Sequence, residues 1–380
     1  MKRFFLFFAT IACYVACMGQ STSTLKFSKQ MIAAESYESV DVFDVNGDKQ
    51  ADLVSGAFWY EGPDFFKRHY IGEVKRHEEY YDDFSTIPMD VNGDNLTDFV
   101  TGGWFGGTIV WRQNPGNDKQ WTEHVIAECG NVETTRSWDV DGDGFPEIIP
   151  NTPNKPLVIY QLQKDAGGKP LGMFSKTQIY DKQGHGLGFG DVNKDGRGDF
   201  ILPTGWLEAP KNWKTEKWIF HPEFDLGTAS VPVIITDVNK DGLADMIVGQ
   251  GHGYGLHWYQ QVLEKKNRSW KKYTIDSLNS QYHAMIWTDI TGDGKEELVT
   301  GKRYRAHNHN DPGANDPIGL YYFTWNGNSF VKNIINYGKL GEAVGTGIYF
   351  SLTDLRGTGR KDIIVAGKQG LYILYNDGQK

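Results

Sequence analysis

Cysteine is scarce in this chain, and two of its three cysteines lie within the first twenty residues. Cys129 alone remains beyond them, which excludes an internal disulfide framework and fits a buried small residue better than a nucleophile. Positive charge is not in excess, since 39 Lys and Arg stand against 48 Asp and Glu, and this balance argues against a nucleic-acid partner. Long hydrophobic runs are also missing, because no window approaches the roughly 20 apolar residues that a transmembrane helix needs.

Residues 1–20 have the pattern of an export signal. Two basic residues precede the apolar stretch 4–16, and small or polar residues follow it. Cleavage near residue 20 would release a soluble protein. The segment that ends at Cys17 also resembles a bacterial lipobox, although Tyr14 stands where Leu is usual. The sequence therefore predicts a periplasmic or secreted protein, with the soluble product favoured and a lipid anchor at Cys17 as the alternative.

An acidic loop recurs seven times in the rest of the chain. In the first copy, oxygen-bearing side chains occupy positions 1, 3, 5 and 9 of a glycine-containing turn, namely Asp44, Asn46, Asp48 and Asp52. Five further copies keep this pattern: Asp90, Asn92, Asp94 and Asp98; Asp139, Asp141, Asp143 and Glu147; Asp191, Asn193, Asp195 and Asp199; Asp237, Asn239, Asp241 and Asp245; Asp289, Thr291, Asp293 and Glu297. The seventh copy has lost it, because Arg356 and Thr358 stand at positions 3 and 5.

The spacing of these loops predicts a β-propeller. Their first Asp residues are 46 to 65 residues apart, close to the ~40–50 residues of a four-stranded blade. A short β-rich run follows each loop. The last repeat supplies only three strands, and residues 25–32 have the composition of the missing fourth. We therefore expect an all-β, seven-bladed propeller, closed by pairing of the N- and C-terminal strands, with residues 21–380 forming a single domain.

The acidic loops resemble the calcium-binding repeats of FG-GAP/VCBS propellers, such as those in integrin α heads. That resemblance implies the same seven-bladed fold. Segments 184–191, 205–210, 280–283 and 300–307 are also similar to the propeller domain of aldos-2-ulose dehydratase and its bacterial relatives. The cupin domains of the fungal enzyme are not present in this sequence. This second resemblance implies a carbon–oxygen lyase that acts on a keto-sugar.

The ligand types in the loops favour calcium. Oxygen donors at positions 1, 3, 5 and 9 suit Ca²⁺, a hard cation that takes six to eight oxygens, whereas soft metals prefer Cys or His. We expect Ca²⁺ to be structural and to staple the turn between the first two strands of a blade. The seventh loop, with Arg356 and Thr358, should not bind it.

The opposite face of the disc is the expected position of any chemistry. Segments that precede the innermost strands must lie there, and so must the loops between second and third strands. Four residues stand six positions before the first Asp of their repeats, namely Glu38, Glu133, His185 and His283. His252 and the long run 302–309 lie in loops between second and third strands, and surplus loop length is commonly functional.

These positions give the candidate site. We predict that His185, His252 and His283 act either as ligands of a divalent catalytic metal or as the base that removes a proton from the substrate. Lys302, Arg303 and Arg305 are predicted to hold substrate oxygens or an enolate. His307 is predicted to act as an acid. The predicted substrate-binding residues are Glu133, Trp104, Trp206, Tyr304 and Lys368. By contrast, His69, His124 and His221 fall at matching places in outer strands, which predicts a structural role.

Three functions remain open from the sequence. The leading one is an exported carbohydrate-active lyase or dehydratase that acts on a keto-sugar or keto-glycoside by β-elimination. The first alternative is a polysaccharide lyase acting on uronates, in which arginine would face a carboxylate. The second is a non-catalytic propeller that binds carbohydrate or protein, because a fold does not determine a function.

Overall fold

The computed structural model describes residues 24–265 and 267–379. The predicted export signal and Cys17 lie outside these residues. The first described strand is β1 (Leu25–Ala33), and it belongs to the last blade of the ring. Within the described residues, no helix is long and apolar enough to cross a membrane.

Blades 1 to 3 each contain four antiparallel strands in sequence order. Blade 1 consists of β2 (Asp41–Phe43), β3 (Asp52–Ser55), β4 (Phe58–Glu61) and β5 (Lys67–Tyr70). A small hairpin follows, made of β6 (Arg76–His77) and β7 (Tyr80–Tyr81). Blade 2 consists of β8 (Ile87–Met89), β9 (Asp98–Gly102), β10 (Thr108–Gln113) and β11 (Thr122–Glu128). Blade 3 consists of β12 (Thr134–Trp138), β13 (Glu147–Asn151), β14 (Leu157–Lys164) and β15 (Pro170–Tyr180).

Blades 4 to 7 repeat the same order. Blade 4 consists of β16 (Gly188–Gly190), β17 (Asp199–Leu202), β18 (Gly205–Glu208) and β19 (Ile219–His221). Blade 5 consists of β20 (Ile234–Thr236), β21 (Asp245–Gly249), β22 (Tyr254–Glu264) and β23 (Asn267–Ser280). Blade 6 consists of β24 (Met285–Thr288), β25 (Glu297–Gly301), β26 (Ile318–Trp325) and β27 (Phe330–Gly338), with a short 3₁₀ turn at Ala306–His309. Blade 7 adds β28 (Ser351–Thr353), β29 (Asp362–Gly367) and β30 (Gly370–Gln379).

The ring closes as predicted. Strand β1 pairs antiparallel with β30, with Leu25 opposite Gln379 and Ala33 opposite Leu371. The outermost strand of blade 7 therefore comes from the beginning of the described chain, while the other three come from its end. This pairing covers the edge of β30 and joins the two ends of the described chain within one blade. The seven-bladed, all-β architecture is confirmed.

The second strand of every blade is buried along its whole length. Each blade packs between two others, so both faces of these strands meet apolar side chains, and after the Asp or Glu that begins each strand the next two residues are apolar. First strands of neighbouring blades lie side by side around the centre, where parallel bridges join Ser39 to Tyr349 and Gly188 to Val233. The start of each first strand is therefore close to the central axis.

Three blades share a stacked pair of side chains on their outer strands. The pairs are Trp59–His69, Trp111–His124 and Trp206–His221, with ring centroids 3.9, 4.3 and 4.3 Å apart. Each imidazole Nε2 also lies within 3.1 Å of a side-chain oxygen two residues after the tryptophan, from Glu61, Gln113 or Glu208. These histidines thus occupy the outer strands and take part in blade packing, as the sequence predicted.

Candidate functional site

One mouth of the central channel collects polar side chains from several blades. Glu38, Glu133, His185 and His283 come from the segments just before the first strands of blades 1, 3, 4 and 6. His252, Arg303 and Lys368 come from the loops between second and third strands of blades 5, 6 and 7. Both kinds of segment lie on one face, as the strand order requires.

Four potential metal ligands meet at this mouth: Glu133, His185, His252 and His283, whose ligand atoms all lie within 4.8 Å of one another. Oε1 of Glu133 is 2.8 Å from Nε2 of His283, 3.3 Å from Nε2 of His185 and 3.9 Å from Nε2 of His252. Nε2 of His185 is 2.6 Å from Nε2 of His252. Two ligands of a tetrahedral zinc ion lie about 3.3 Å apart, given bonds of roughly 2.0–2.1 Å. The observed separations lie on both sides of that value.

The hydrogen bonds of two imidazoles determine which ring nitrogen carries the lone pair. Nδ1 of His185 donates to the carbonyl oxygen of Ala229 at 2.9 Å, and Nδ1 of His252 donates to Asp311 at 2.8 Å. A neutral imidazole has a single N–H, so the Nε2 atoms that face each other both carry lone pairs. Their close approach requires a positive charge between them, supplied by a proton or by a metal ion. Nδ1 of His283 is buried and has no partner among the described residues.

The charges of the cluster are strongly coupled. Burial would raise the pKa of Glu133, but the charge of His185 and hydrogen bonds from His185 and His283 hold that pKa well below its ordinary value. Burial would lower the pKa of His185, yet the Glu133 carboxylate raises it. Burial also lowers the pKa values of His252 and His283. Of the three imidazoles, His185 is therefore the one whose protonated form this environment favours.

A second buried charge cluster adjoins the first. Glu38 accepts hydrogen bonds from Arg303, with Nε–Oε1 at 3.0 Å and Nη2–Oε2 at 3.3 Å, and forms an ion pair with Lys368 Nζ at 3.4 Å. Burial would raise the pKa of Glu38, but the two cations lower it to about 2. The remaining nitrogen of Arg303, Nη1, lies 3.7 Å from Glu133. Arg303 thus links the two clusters while its charge is neutralised by Glu38.

A cavity of about 300 Å³ opens beside these clusters. Its walls are mainly aromatic and include four of the predicted site residues, Trp104, Glu133, Arg303 and His307. The other lining residues are Tyr80, Phe84, Phe105 and Asn308. Lys368 Nζ lies 4.0 Å from the centroid of the Tyr80 ring, behind the wall. Aromatic walls with a few convergent polar groups are typical of small-molecule sites.

Most predicted site residues are brought together, but four lie elsewhere. Trp206 was predicted to face the mouth, yet it is 1% exposed and packs between His221 and Arg268, because its position in β18 points towards blade 5. The Lys302 ammonium is directed away from the cavity and donates to Ser280 Oγ at 2.8 Å and to the Gly313 carbonyl. Burial lowers the Lys302 pKa to about 8.

Arg305 and Tyr304 also lie outside the cavity wall. Arg305 forms an ion pair with Glu79 at 2.8 Å and donates to His309 Nε2 at 2.9 Å. Its guanidinium lies 5.9 Å from the centroid of the Tyr304 ring. These contacts hold the long blade 6 loop against the hairpin that follows blade 1, so the two residues support the mouth from its rim.

Several site residues were not predicted. Tyr80 and Phe84 come from the β6–β7 hairpin and the segment after it. Asp311, which accepts a hydrogen bond from His252, lies in the blade 6 loop. Phe84 stands six residues before Asp90, the offset that identified Glu133 and His185, so this offset could have revealed it. Asp311 has no such signal in the sequence.

The acidic loops lie on the other face and are tightly turned. In the first loop, the Asp44 carboxylate accepts hydrogen bonds from the backbone N–H groups of Gly47 and Lys49, both at 2.8 Å. Asp52, at position 9, is fully buried and accepts backbone N–H groups of Val45 and Gly62, both at 2.8 Å. The oxygen-rich donor set fits calcium, and in the third loop Asp139, Asp141 and Glu147 come close enough to share one ion.

The seventh loop has its own cation. Nη2 of Arg356, at position 3, lies 3.0 Å from Oδ1 of the buried Asp362 at position 9. Nη1 of Arg356 lies 3.1 Å from Asp377. A guanidinium therefore neutralises the carboxylate at position 9, which gives a physical reason to expect no calcium in this loop.

Comparisons with known proteins agree with the fold. Residues 237–300 match the family described as FG-GAP-like repeat. Integrin alpha pat-2 of Caenorhabditis briggsae is 24% identical over 275 residues, which cover 57% of this chain and 22% of that integrin. This chain thus spans less than a quarter of the length of that relative.

Two solved structures match this chain at low sequence identity. One is a structure of BBS1N in complex with ARL6DN, at 13% identity and a TM-score of 0.50, with 92% of this chain and 96% of that chain covered. The other is an Agrocybe aegerita lectin that recognises non-reducing terminal N-acetylglucosamine, at 13% identity and a TM-score of 0.47, with 94% of both chains covered. The seven sheets show a seven-bladed β-propeller, and its residues 237–300 are similar to the FG-GAP-like repeat.

Proposed function

We propose that this protein is an exported, metal-dependent carbon–oxygen lyase that acts on a neutral keto-sugar or keto-glycoside at the mouth of the propeller. One observation supports this most strongly. The Nε2 atoms of three histidines and a carboxylate oxygen of Glu133 converge beside an aromatic cavity. The reaction type rests on the resemblance to the dehydratase propeller, and the geometry supplies groups suited to it.

We propose that the positive charge between the Nε2 atoms of His185 and His252 is a divalent metal ion rather than a proton. A proton would bridge two nitrogens, whereas four ligand atoms converge here, and one belongs to a carboxylate. Three imidazoles and a carboxylate suit Zn²⁺ and related first-row ions. When bound, such an ion would supply a Lewis acid for the ketone oxygen of the substrate.

The side chains around the cavity suit a β-elimination next to a ketone. His307 lines the cavity, and its Nδ1 lies 3.0 Å from Asp311, so its Nε2 carries a lone pair that can accept the α-proton. The electrons of that C–H bond first form the enolate; when the enolate collapses to the ketone, they form the C=C bond between the α- and β-carbons while the β C–O bond breaks. The proton on His307 then passes to the leaving oxygen. Arg303 Nη1 can donate a hydrogen bond to the enolate oxygen.

The pairing of charges favours a neutral substrate over a uronate. Arg303 and Lys368 both face Glu38, and Arg305 faces Glu79. None of these three cations is free to form the bidentate pair by which arginine usually recognises a carboxylate. The aromatic wall, with Trp104 and Tyr80, suits the apolar face of a sugar ring. We therefore prefer a keto-sugar lyase to a uronate lyase as the proposed activity.

The test combines metal analysis with an elimination assay. Purified protein is mildly chelated, and its retained metals are quantified. It is then incubated with keto-sugars, keto-glycosides and uronates while ultraviolet absorbance reports the conjugated product. We expect a retained first-row ion, and turnover of keto-substrates that strong chelation removes. His185→Ala should abolish turnover, whereas His221→Ala, the same change on an outer strand, should not. Equal activity of the two variants would contradict the proposal.

A non-catalytic carbohydrate-binding propeller is the second candidate. One observation favours it: the cluster offers four protein ligands, and structural zinc sites are usually filled by four protein ligands whereas catalytic sites keep an open position. A retained metal, measurable glycan binding and no elimination on any substrate would support this candidate instead.

We also propose that the six intact acidic loops bind structural Ca²⁺. Their donor sets are almost entirely oxygen, and the carboxylates at position 9 are buried with their charge unpaired by any cationic side chain among the described residues. The proposal of export rests on the signal pattern of residues 1–20. Comparing the mass of the mature protein with that of a Cys17→Ser variant would distinguish a lipidated product from a soluble one.

A further inference from the structure

Asp311 contacts two imidazoles at once. Its Oδ2 lies 2.8 Å from Nδ1 of His252, and its Oδ1 lies 3.0 Å from Nδ1 of His307. The two rings are stacked, with centroids 4.2 Å apart and planes inclined by 11°. The Asp311 side chain is only 12% exposed and the His252 ring 10%, so the bond between them is shielded from water, whereas the His307 ring is 51% exposed. A single carboxylate therefore orients two rings that face different partners.

Each oxygen of Asp311 can only accept a hydrogen bond, because the carboxylate carries no proton when ionised. Both histidines must then carry their proton on Nδ1. Nε2 of His252 is left with its lone pair directed at His185 and Glu133, 2.6 Å from Nε2 of His185. Nε2 of His307 is left free for a group in the cavity. One carboxylate thus fixes the tautomers of a candidate metal ligand and of a cavity side chain.

The loop that carries Asp311 is held in an unusual conformation. Arg305, His307, Asn308 and His309 all have φ between 47° and 69°, the left-handed region that non-glycine residues rarely adopt. Each such residue costs of order 1 kcal/mol or more, so surrounding contacts must maintain the loop. One of these contacts is the hydrogen bond that the backbone N–H of Asn308 donates to the Tyr80 hydroxyl oxygen at 2.9 Å. After Asp311 the chain makes a turn, closed by a hydrogen bond from the backbone N–H of Ala314 to the carbonyl oxygen of Asp311 at 3.0 Å.

We propose that Asp311 is a positioning residue that couples the metal site to the proton-transferring histidine by fixing both ring tautomers. This inference rests on the proposed function for the identity of the cation and of the proton carrier. Carboxylates that accept from the distal nitrogen of a metal-bound histidine typically strengthen metal binding 10–100-fold. The geometry assigns this role to Asp311 for His252 and extends it to His307.

The test uses two variants and a control on the same loop. Asp311→Asn keeps the shape but offers one acceptor oxygen instead of two, so one of the two rings must lose its bond. Asp311→Ala removes both bonds. Asp316→Asn is the control, because Asp316 lies on this loop and accepts the Tyr254 hydroxyl at 2.6 Å rather than an imidazole. All variants are first compared with the wild type in their thermal unfolding midpoints.

Two measurements decide the question. Zinc affinity, by competition with a chromophoric chelator, should fall 10–100-fold in Asp311→Asn and remain unchanged in Asp316→Asn. Long-range ¹H–¹⁵N spectra of the imidazoles in metal-free protein should show Nδ1–H tautomers for the rings of His252 and His307 in the wild type, with at least one of these two changed in Asp311→Asn and both in Asp311→Ala. Unchanged tautomers in both variants would overturn the proposal. If the wild type bound no zinc, the proposed metal site would fail, while the tautomer spectra would still decide the role of Asp311.

Discussion

His185→Ala is the most informative change to the candidate metal site. The His185 side chain is 16% exposed and offers one of four ligand atoms. Apparent binding free energies of structural zinc sites are about 10–16 kcal/mol, or about 2.5–4 kcal/mol for each of four ligands. At 1.4 kcal/mol per factor of ten, losing one ligand should weaken zinc binding roughly 100- to 1,000-fold.

The effect can be read from thermal unfolding at a fixed free zinc concentration. At 100 times the wild-type Kd, binding stabilises the folded state by about 2.7 kcal/mol. For 380 residues, the unfolding entropy is about 0.8 kcal/mol/K, so the wild-type midpoint should rise by about 3 °C. The variant, with a Kd at least about 100-fold higher, should gain about 0.4 kcal/mol or less, which is a rise below about 1 °C. Calcium is kept saturating throughout, so that the acidic loops do not respond to zinc.

His221→Ala is the matched control for this experiment. It also removes an imidazole, but one that stacks on Trp206 at 4.3 Å and bonds to Glu208 at 2.8 Å on an outer strand. It should keep the full zinc-dependent rise even if its midpoint without zinc is lower. Equal zinc-dependent rises in the two variants would refute the assignment of His185 as a ligand.

Three further predictions concern the scaffold. Chelation of calcium should lower the unfolding midpoint, and added Ca²⁺ should restore it more completely than Mg²⁺, because the loops offer flexible sets of oxygen ligands; a midpoint indifferent to chelation would speak against calcium in the loops. Burial raises the pKa of Asp83 to about 6, so the folded state favours its protonated form, and stability should fall as pH rises from about 4 to about 6. The Asp83→Asn variant should show a pH-dependent fall in the free energy of unfolding that is smaller by up to about 3 kcal/mol. Urea unfolding at pH 4 and pH 8 measures this fall in both proteins. Parallel pH profiles of the wild type and the variant would contradict the effect of burial. His124→Ala should destabilise blade 2 by about 0.5–1.5 kcal/mol through loss of its stack on Trp111, with zinc affinity unchanged; a loss of zinc binding would show that the blade 2 stack also supports the mouth.

The fold could be predicted because one loop pattern recurs at the length of a blade. The regular Asp positions fix the turn between first and second strands, and the missing fourth strand of blade 7 directs attention to residues near position 25. The β6–β7 hairpin could not be predicted in this way. Its strands have two residues each, too few to show a periodicity.

The candidate site was partly visible in the sequence for the same reason. A common offset before the first Asp places Glu133, His185 and His283 at equivalent points near the axis, and the structure brings them together. Asp311 lies in an irregular loop, where no repeat relates its number to a position in space. Trp206 shows the opposite difficulty, because a tryptophan at the start of a third strand can face either the mouth or the next blade, and only packing against Arg268 decides which.

The two charge clusters at the mouth depend on every part of the ring except blade 2, since their members come from blades 1, 3, 4, 5, 6 and 7. Residues of distant blades, such as Glu133 of blade 3 and His283 of blade 6, meet only when the circle is complete. A partly assembled chain would hold isolated imidazoles with weak affinity for any ion. Tight metal capture at the mouth would therefore report that blades 3 to 6, which supply the four ligands, have reached their places in the ring, and a bound ion would in turn resist the separation of these blades.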